Sequence, residues 1–357
     1  MTPRIVHVAS GREWRGGQRQ VWLLGRELEA RGINQVVVTA RGSELARRLR
    51  SSGTRVHEAA WTIGLDPRVL GPILNELRRP ALLHAHDAHA LTLAGVASML
   101  TGAPLIVTRR VTFPLRRRFF WHRARRIIAI SRAVYERLVQ DGVDPARVVV
   151  IPSAVDAPAT AADSVDMRTR LGLPRTGQLA VMLGALTPEK DHLTAIRAAA
   201  RLVRDLPELH WVLIGEGPER PRLQREIVQL RVSERVHLMG ELDDPHRALA
   251  GADVFVLSST HEALGTSALA AMAQGVPVVA TNVGGVPEVL GSGCGVLVES
   301  QNPEALANMV QRVLRDPGPR RQLTVAAKQE LGRYSASGMA EQVLSVYRSC
   351  AHSLDRS

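Results

Sequence analysis

Short, nearly uninterrupted apolar runs punctuate this chain, and they limit its fold more than any other feature. In the first half they cover residues 4–8, 35–38, 81–84, 105–107, 127–130 and 148–151. Almost none shows the polar alternation of a strand with one wet face. Helical spacing fills the gaps between them, as over residues 18–31. Parallel strands buried on both faces and joined by helices produce this pattern. At residues 152–166 the stretch PSAVDAPATAADSVD reads as a linker. A second series follows, with runs at 180–183, 211–214, 236–239, 254–257 and 277–280. The expectation is an α/β protein of two doubly wound domains with a cleft between the carboxyl ends of their strands. A last helix near residues 336–353, apolar at 339, 343, 346 and 347, is expected to cross back onto the first domain. The expected boundaries are 1–158, 159–335 and 336–357.

A chain of 357 residues, 45% hydrophobic and 22% charged, is long enough for two such cores. No window reaches the roughly 18 uninterrupted apolar residues of a membrane span, and MTPRIVHVAS lacks the layout of a secretory signal. The expected location is therefore the cytoplasm. Two cysteines, Cys294 and Cys350, are too few for a disulfide framework or a thiolate metal site.

Charge is unevenly divided. Residues 1–160 hold 25 Arg and no Lys against 12 acids, a net of +13, while the remainder has 21 basic residues against 22 acidic, a net of −1. The excess peaks in TRRVTFPLRRRFFWHRARR, residues 108–126, where eight arginines alternate with Phe113, Phe119, Phe120 and Trp121. Guanidinium groups beside rings suit an anionic membrane surface or a lipid-linked substrate. Nucleic acid and a plainly solvated arginine face are the alternatives.

The stretch HEALGTSALAAMAQGVPVVAT, residues 261–281, follows a strand-like run and passes through Gly265, Thr266 and Ser267 into a helix. Such an entry offers unpaired N–H groups to an anion. Glu262 stands just ahead of it, and a carboxylate beside an anion site suits a ligand that also carries hydroxyls, such as a sugar phosphate. An ordinary strand-to-helix corner with an incidental glutamate is the alternative. Lys190 follows the run 180–183 and Gly184, and it is one of only two lysines among 46 basic residues. A compact ammonium at that exit suits a diphosphate oxygen. Gly16-Gly17, read as a loop after the first strand, would let the backbone approach the same group.

HAHDAH, residues 84–89, sets His84 and His86 on one strand face with Asp87 and His89 beyond, a group that could suggest zinc. GEGPER at 215–220 lacks the third glycine of a dinucleotide fingerprint. Cys294, in GSGCGV, reads as a small loop residue.

In order along the chain, Gly16-Gly17, LLHAHD (82–87), IIAISRAV (127–134), VVVIPSAVD (148–156), GALTPEKDH (184–192), LIGEGPER (213–220), VHLMGELDD (236–244), the segment 252–281 and GGVPEV (284–289) resemble the retaining glycosyltransferases of family four, the glycosyl transferases of group 1. That resemblance implies the GT-B fold, two Rossmann-like domains of which the first binds acceptor and the second nucleotide sugar. It further implies sugar transfer from a nucleotide diphosphate sugar with retention of configuration, without metal or other cofactor. Lys190 would neutralise the diphosphate and Glu262 would hold sugar hydroxyls. Backbone around Leu264, Gly265 and Thr266 would contact sugar and phosphate, residues near Gly215 and Leu238 to Gly240 would flank the base, and His86 or Asp87, at a strand exit facing the cleft, would meet acceptor or sugar hydroxyls instead of zinc. Three positions depart from the family pattern: Ala270 replaces a second acid that holds the ribose, Ala185 replaces an arginine, and Arg110 falls where some members have an acceptor-side histidine. The expected activity is transfer to a lipid-linked saccharide, a lipopolysaccharide core or another cell-surface glycan, at the cytoplasmic face of the inner membrane, with Arg110 assisting Lys190 and no nucleic-acid partner. A noncatalytic or donor-altered relative acting as a binding partner is the alternative, followed by a basic nucleic-acid-binding protein.

Overall fold

The computed structural model describes residues 3–61, 66–115, 118–156 and 166–351, and in them the chain divides into two compact units. One comprises residues 1–154 and 334–357, the other residues 155–333. Most of the linker read at 152–166 lies outside the described residues, as do Arg116 and Arg117.

The first unit is built on a parallel sheet of seven strands: β1 (Arg4–Ala9), β2 (Gln35–Ala40), β3 (Val56–Ala59), β4 (Ala81–Ala85), β5 (Leu105–Arg109), β6 (Arg126–Ala129) and β7 (Val148–Val150). Their spatial order is β3-β2-β1-β4-β5-β6-β7. Helices α1 (Gly16–Ala30), α2 (Glu44–Ser51), α3 (Pro67–Glu76), α4 (Ala88–Thr101), α5 (Arg118–Arg123) and α6 (Arg132–Gln140) supply the crossovers. Every apolar run of the sequence became a strand; β1, β2, β4 and β5 are enclosed from both sides and buried almost throughout, while β7 at the sheet edge is half-buried. No apolar run marks β3, whose VHEA carries polar residues at the sheet edge and is mostly half-buried.

The second unit repeats the plan with β8 (Gln178–Leu183), β9 (Leu209–Ile214), β10 (Val236–Gly240), β11 (Val254–Leu257), β12 (Val278–Thr281) and β13 (Val296–Val298) in the order β10-β9-β8-β11-β12-β13, all parallel. Its helices are α7 (Met167–Arg170), α8 (His192–Leu202), α9 (Arg220–Gln229), α10 (Thr266–Ala273), α11 (Val286–Leu290), α12 (Pro303–Arg315) and α13 (Pro317–Glu330). The short edge strand β13, the triplet VLV, is the other one outside the expected runs. Trp211, Phe255 and the inward side chains of α8 and α12 fill this core.

The last helix, α14 (Ala336–Ala351), belongs to the first unit. Its apolar face, with Met339, Ala340, Val343, Leu344 and Tyr347, packs with Leu24 and Leu28 of α1 and with Ile5, Leu82 and Ile128 of the sheet. Burying such a stripe is what holds a helix of this length in place, since propensity alone leaves it marginal.

Doubly wound sheets reverse their strand order at one point, and the loops leaving the two strands there diverge. In the first unit that point lies between β1 and β4, in the second between β8 and β11.

Candidate functional site

At the switch point of the second unit, the exits of β8 and β11 are stitched together. After β8 the chain makes a 3-10 turn over Pro188–Lys190, and Asp191, in the left-handed region at φ 45°, caps α8 through its carboxylate. Ser258, leaving β11, donates its hydroxyl to the Asp191 carbonyl at 2.8 Å, and the Thr260 N–H donates to the Glu189 carbonyl at 2.9 Å. This lattice brings the Lys190 ammonium against the Glu262 carboxylate, the two forming an ion pair with both side chains largely buried. Glu262 accepts a second hydrogen bond from the Ser259 hydroxyl at 3.2 Å.

Directly beyond Glu262, α10 opens on Gly265 with no side-chain cap. Its first N–H groups are therefore left for solvent or a ligand, at the positive end of the helix. Gly284 holds φ 52°, and a methyl group there would overlap the Glu262 carbonyl oxygen. The Gly284-Gly285 turn thus packs backbone to backbone against Glu262–Leu264, with Gly285 N–H donating to the Glu262 carbonyl at 3.2 Å.

The neighbouring exits are equally close. Gly184 lies under the aliphatic stem of Lys190. Gly215 sits at φ 145°, where a side chain would collide with the Gly184 carbonyl, and its N–H donates to the Gly240 carbonyl at 2.9 Å. Arg220 donates to Glu216 at 2.7 Å and to the Leu238 carbonyl at 3.2 Å, which places a charged pair over the Leu238–Gly240 backbone. The sequence reading did not name Glu216 or Arg220, although the motif GEGPER contains both. It also passed over Ser258, Ser259 and Thr260, whose polar run directly after a buried strand was the available signal. Leu264 is buried, and Ala270, where the second acid would stand, is enclosed within α10.

At the switch point of the first unit the chemistry differs. His7 on β1 shares a hydrogen bond with His86 at 2.9 Å, Nδ1 to Nε2. His84 shares one with the Tyr347 hydroxyl at 2.6 Å and one with the Thr108 hydroxyl at 2.7 Å. All three rings are buried. Burial lowers the His7 pKa to about 3 and holds His84 and His86 well below the usual histidine value, the positive Arg110 adding to the effect on the latter two. Arg110 is itself lowered to about 10 by burial, remains charged at neutral pH, and donates to the His86 carbonyl at 3.0 Å.

His7, His84 and His86 bring ligand atoms within 4.8 Å of one another. This is not the set offered by HAHDAH. Both His84 nitrogens are committed to hydroxyls, and Arg110 opposes a cation electrostatically. His89 is exposed. Asp87 acts as the N-cap of α4: its carboxylate accepts from the Ala90 N–H at 2.8 Å, the Ser10 N–H at 2.7 Å and the Ser10 hydroxyl at 2.5 Å. His7 and Tyr347 went unnamed because only the fold brings β1, β4 and α14 together.

Gly16 and Gly17 correct the sequence reading. They are not in the loop after β1 but form the first turn of α1, and Gly17 borders the Arg110 side chain. The helix starts early because its buried face already begins with Gln20 and Val21 and the Gln20 amide is anchored to both backbone groups of Ala154.

The stretch 108–126 divides as well. Arg109 turns inward, donating to the Val111 carbonyl at 3.0 Å and to the Phe113 carbonyl, with its guanidinium 5.2 Å from the centre of the Trp121 ring. Trp121 is buried and Phe120 packs on Gly95, whereas Phe113 and Phe119 are 48% and 61% exposed. Only part of this run is therefore available as a surface. Among the described residues no helix is long and apolar enough to cross a membrane. Cys294 and Cys350 are both buried and unbridged.

Comparison with known proteins agrees with this arrangement. The family model described as Glycosyltransferase Family 4 matches residues 14–157, and the one described as Glycosyl transferases group 1 matches residues 163–330. The 2-deoxystreptamine glucosyltransferase of Streptomyces kanamyceticus is 29% identical over 90% of this chain and 97% of its own length. The lipopolysaccharide core biosynthesis glycosyltransferase LpsE of Rhizobium meliloti is 33% identical over 51% of this chain and 53% of its own. The Anabaena protein HepE, crystallised with UDP-glucose, superimposes with a TM-score of 0.85 at 20% identity, covering 97% of this chain and all of that one. Two doubly wound sheets, a lysine paired with a glutamate at the second switch point, and these matches lead to one assignment: the chain belongs to the family-four glycosyltransferases, the glycosyl transferases of group 1, and has their GT-B fold.

Proposed function

We propose that this protein moves a sugar from a nucleotide diphosphate sugar, with retention of configuration and without a metal, to a lipid-linked saccharide, a lipopolysaccharide core or another cell-surface glycan. The observation that carries the reading is the Lys190–Glu262 pair beside the uncapped start of α10. Within the pair each charge satisfies the other. A donor would supply both replacements at once, diphosphate oxygens for Lys190 and sugar hydroxyls for Glu262. The first N–H groups of α10 add a second positive element where the leaving phosphate gains charge. The acceptor hydroxyl then attacks from the side the phosphate leaves, and a phosphate oxygen helps take its proton, so no protein nucleophile is needed. Arg110, at the switch point of the first unit, contributes a fixed positive charge, and His86 presents its carbonyl to it. The names of relatives support the donor class, since HepE was crystallised with UDP-glucose, but they span different acceptors, from 2-deoxystreptamine to lipopolysaccharide core. The lipid-linked choice rests on the exposed Phe113 and Phe119 and on the arginines around them, which suit the cytoplasmic face of an anionic inner membrane.

Ala270 and Ala185 favour a second reading, a relative with altered donor choice or one that binds without turnover. A panel of nucleotide sugars, read first as a rise in melting temperature and then as release of nucleoside diphosphate with membrane extract present, separates the two. Transfer predicts both signals for at least one donor; binding without release supports the second reading, and no shift with any nucleoside diphosphate overturns both. In the active case Lys190→Ala is expected to lower turnover by at least about 10²-fold. Turnover near wild type in that variant removes Lys190 from the chemistry.

A further inference from the structure

At the edge of the first unit's sheet remote from its switch point, where β6 and β7 begin, the surface folds into a recess of about 450 Å³. Its walls come from the end of α5, the residues leading into β6, the turn over Pro145–Arg147 and the end of α14. Four arginines line it, Arg123, Arg125, Arg126 and Arg147, with Asp144 as the one acidic residue. A volume of this size is in the range of small-ligand sites.

Two of the four arginines are fixed. Arg126 donates to the Ala146 carbonyl at 3.2 Å, and Arg147 donates to the His122 carbonyl while lying 3.7 Å from Asp144. The guanidinium groups of Arg123 and Arg125 form no hydrogen bond or ion pair with any described residue, although the Arg125 backbone N–H donates to the Leu105 carbonyl at 2.8 Å. Buried Cys350 closes one side, near enough for Arg125 and Arg126 to act on its thiol. Four positive charges converging on a concave surface with a single acid repel one another, and water alone screens them less well there than on an open face. A multiply charged oxyanion relieves that repulsion, and guanidinium forks match phosphate oxygens in pairs.

We propose that this recess is a binding site for a phosphate-bearing anion, separate from the sites at the strand exits. The same chemistry arises from a phospholipid headgroup or from a soluble phosphate compound. The arginines held by carbonyls give a preset pair of forks, and the two unpartnered ones complete the cradle.

The test uses the full chain and the double variant Arg123→Gln/Arg125→Gln. The control is Arg78→Gln/Arg79→Gln, which removes the same charge from exposed positions elsewhere in the first unit. One arm measures cosedimentation with vesicles of phosphatidylcholine, with and without phosphatidylglycerol. The other measures calorimetric binding of inorganic phosphate and pyrophosphate in a Lys190→Ala background, which weakens the competing site of the second unit. The recess variant is expected to lose roughly tenfold or more of its affinity for at least one probe, with the control within about twofold of wild type. Loss on vesicles alone identifies a headgroup, and loss on pyrophosphate alone identifies a soluble ligand. Equal loss in both double variants, or no loss in either, overturns the proposal. Circular dichroism confirms that the variants fold. Neither arm needs a sugar donor, so this outcome is independent of the transfer reading.

Discussion

The two units share a strand order and a switch point, yet they use the same place for opposite electrostatics. In the second unit the exits of β8 and β11 carry an opposed pair of charges, Lys190 and Glu262, held by backbone contacts that glycines permit. In the first unit the exits of β1 and β4 carry three buried neutral histidines, His7 and His86 bonded to each other and His84 to two hydroxyls, with Arg110 as the charge beside them. The lesson is that the doubly wound scaffold fixes where a ligand site lies and leaves its chemistry to four or five side chains.

Acid provides the largest expected separation between the units. An unfolded histidine titrates near its ordinary value, while folded His7 stays neutral to about pH 3, and His84 and His86 are likewise depressed. Between those values the unfolded chain binds more protons, so stability is fully present above about pH 6.5 and is lost as pH falls toward 3. The slope is roughly 1.4 kcal/mol per pH unit for each such histidine. In the second unit His192 is lowered to about 4 by burial and by Lys190, and burial also lowers His210 and His237, though none of these three is held as far down as the first unit's trio. Hydrogen exchange read by mass spectrometry at pH 7 and pH 5 should show the first unit opening more than the second. Equal opening in both would break the contrast.

Backbone crowding comes next. Gly284→Ala puts a methyl group against the Glu262 carbonyl at a left-handed backbone position, and a loss of about 1–3 kcal/mol is expected from the conformation alone. The change should appear as a lower melting temperature together with weaker nucleoside diphosphate binding. A variant with normal stability and binding would show that the turn yields, and that Glu262 is not held by it.

Tyr347→Phe tests the other unit. It removes the hydroxyl that meets His84 at 2.6 Å and leaves a buried ring nitrogen without a partner, a loss of roughly 1–3 kcal/mol. Urea unfolding of the first unit should shift accordingly, and an unchanged midpoint would mean the histidine network adds nothing to the docking of α14.

The smallest effect belongs to Ala270→Glu. Restoring the second acid should tighten binding of the cognate nucleoside diphosphate by about tenfold, the worth of one hydrogen bond to a charged group. No gain would indicate that another acceptor already serves the ribose. Glu216, beside the Leu238–Gly240 backbone, is the first residue to test in that case, through Glu216→Gln.

Much of this was legible because buried parallel strands leave continuous apolar runs. Those of β1, β8 and β11 marked their own exits, and through them Lys190, Glu262 and Gly265. Two of the four sheet edges were not legible: β3 carries polar residues within VHEA and β13 is only the three residues VLV, whereas the edge strands β7 and β10 left apolar runs. Gly16-Gly17 was misplaced because a glycine pair reads as a loop, whereas here the packing of α1 and the Gln20 anchor extend the helix back to include it. The arginine run 108–126 was read as one surface, since sequence records charge and not direction. Arg109 and Trp121 turn inward, while Arg123 and Arg125 remain outside.

What the sequence determined by itself was local and periodic: the strand and helix alternation, the two-unit plan, and the residues that follow each strand. Each of these depends on neighbours within a few positions, and burial imprints them directly on the order of side chains. Tertiary structure alone decided which distant residues meet, Lys190 with Glu262, His84 with Tyr347, and Arg147 with the His122 carbonyl. Those meetings arise from the strand order and the return of α14, and strand order is set by the packing of whole elements rather than by any one segment's composition.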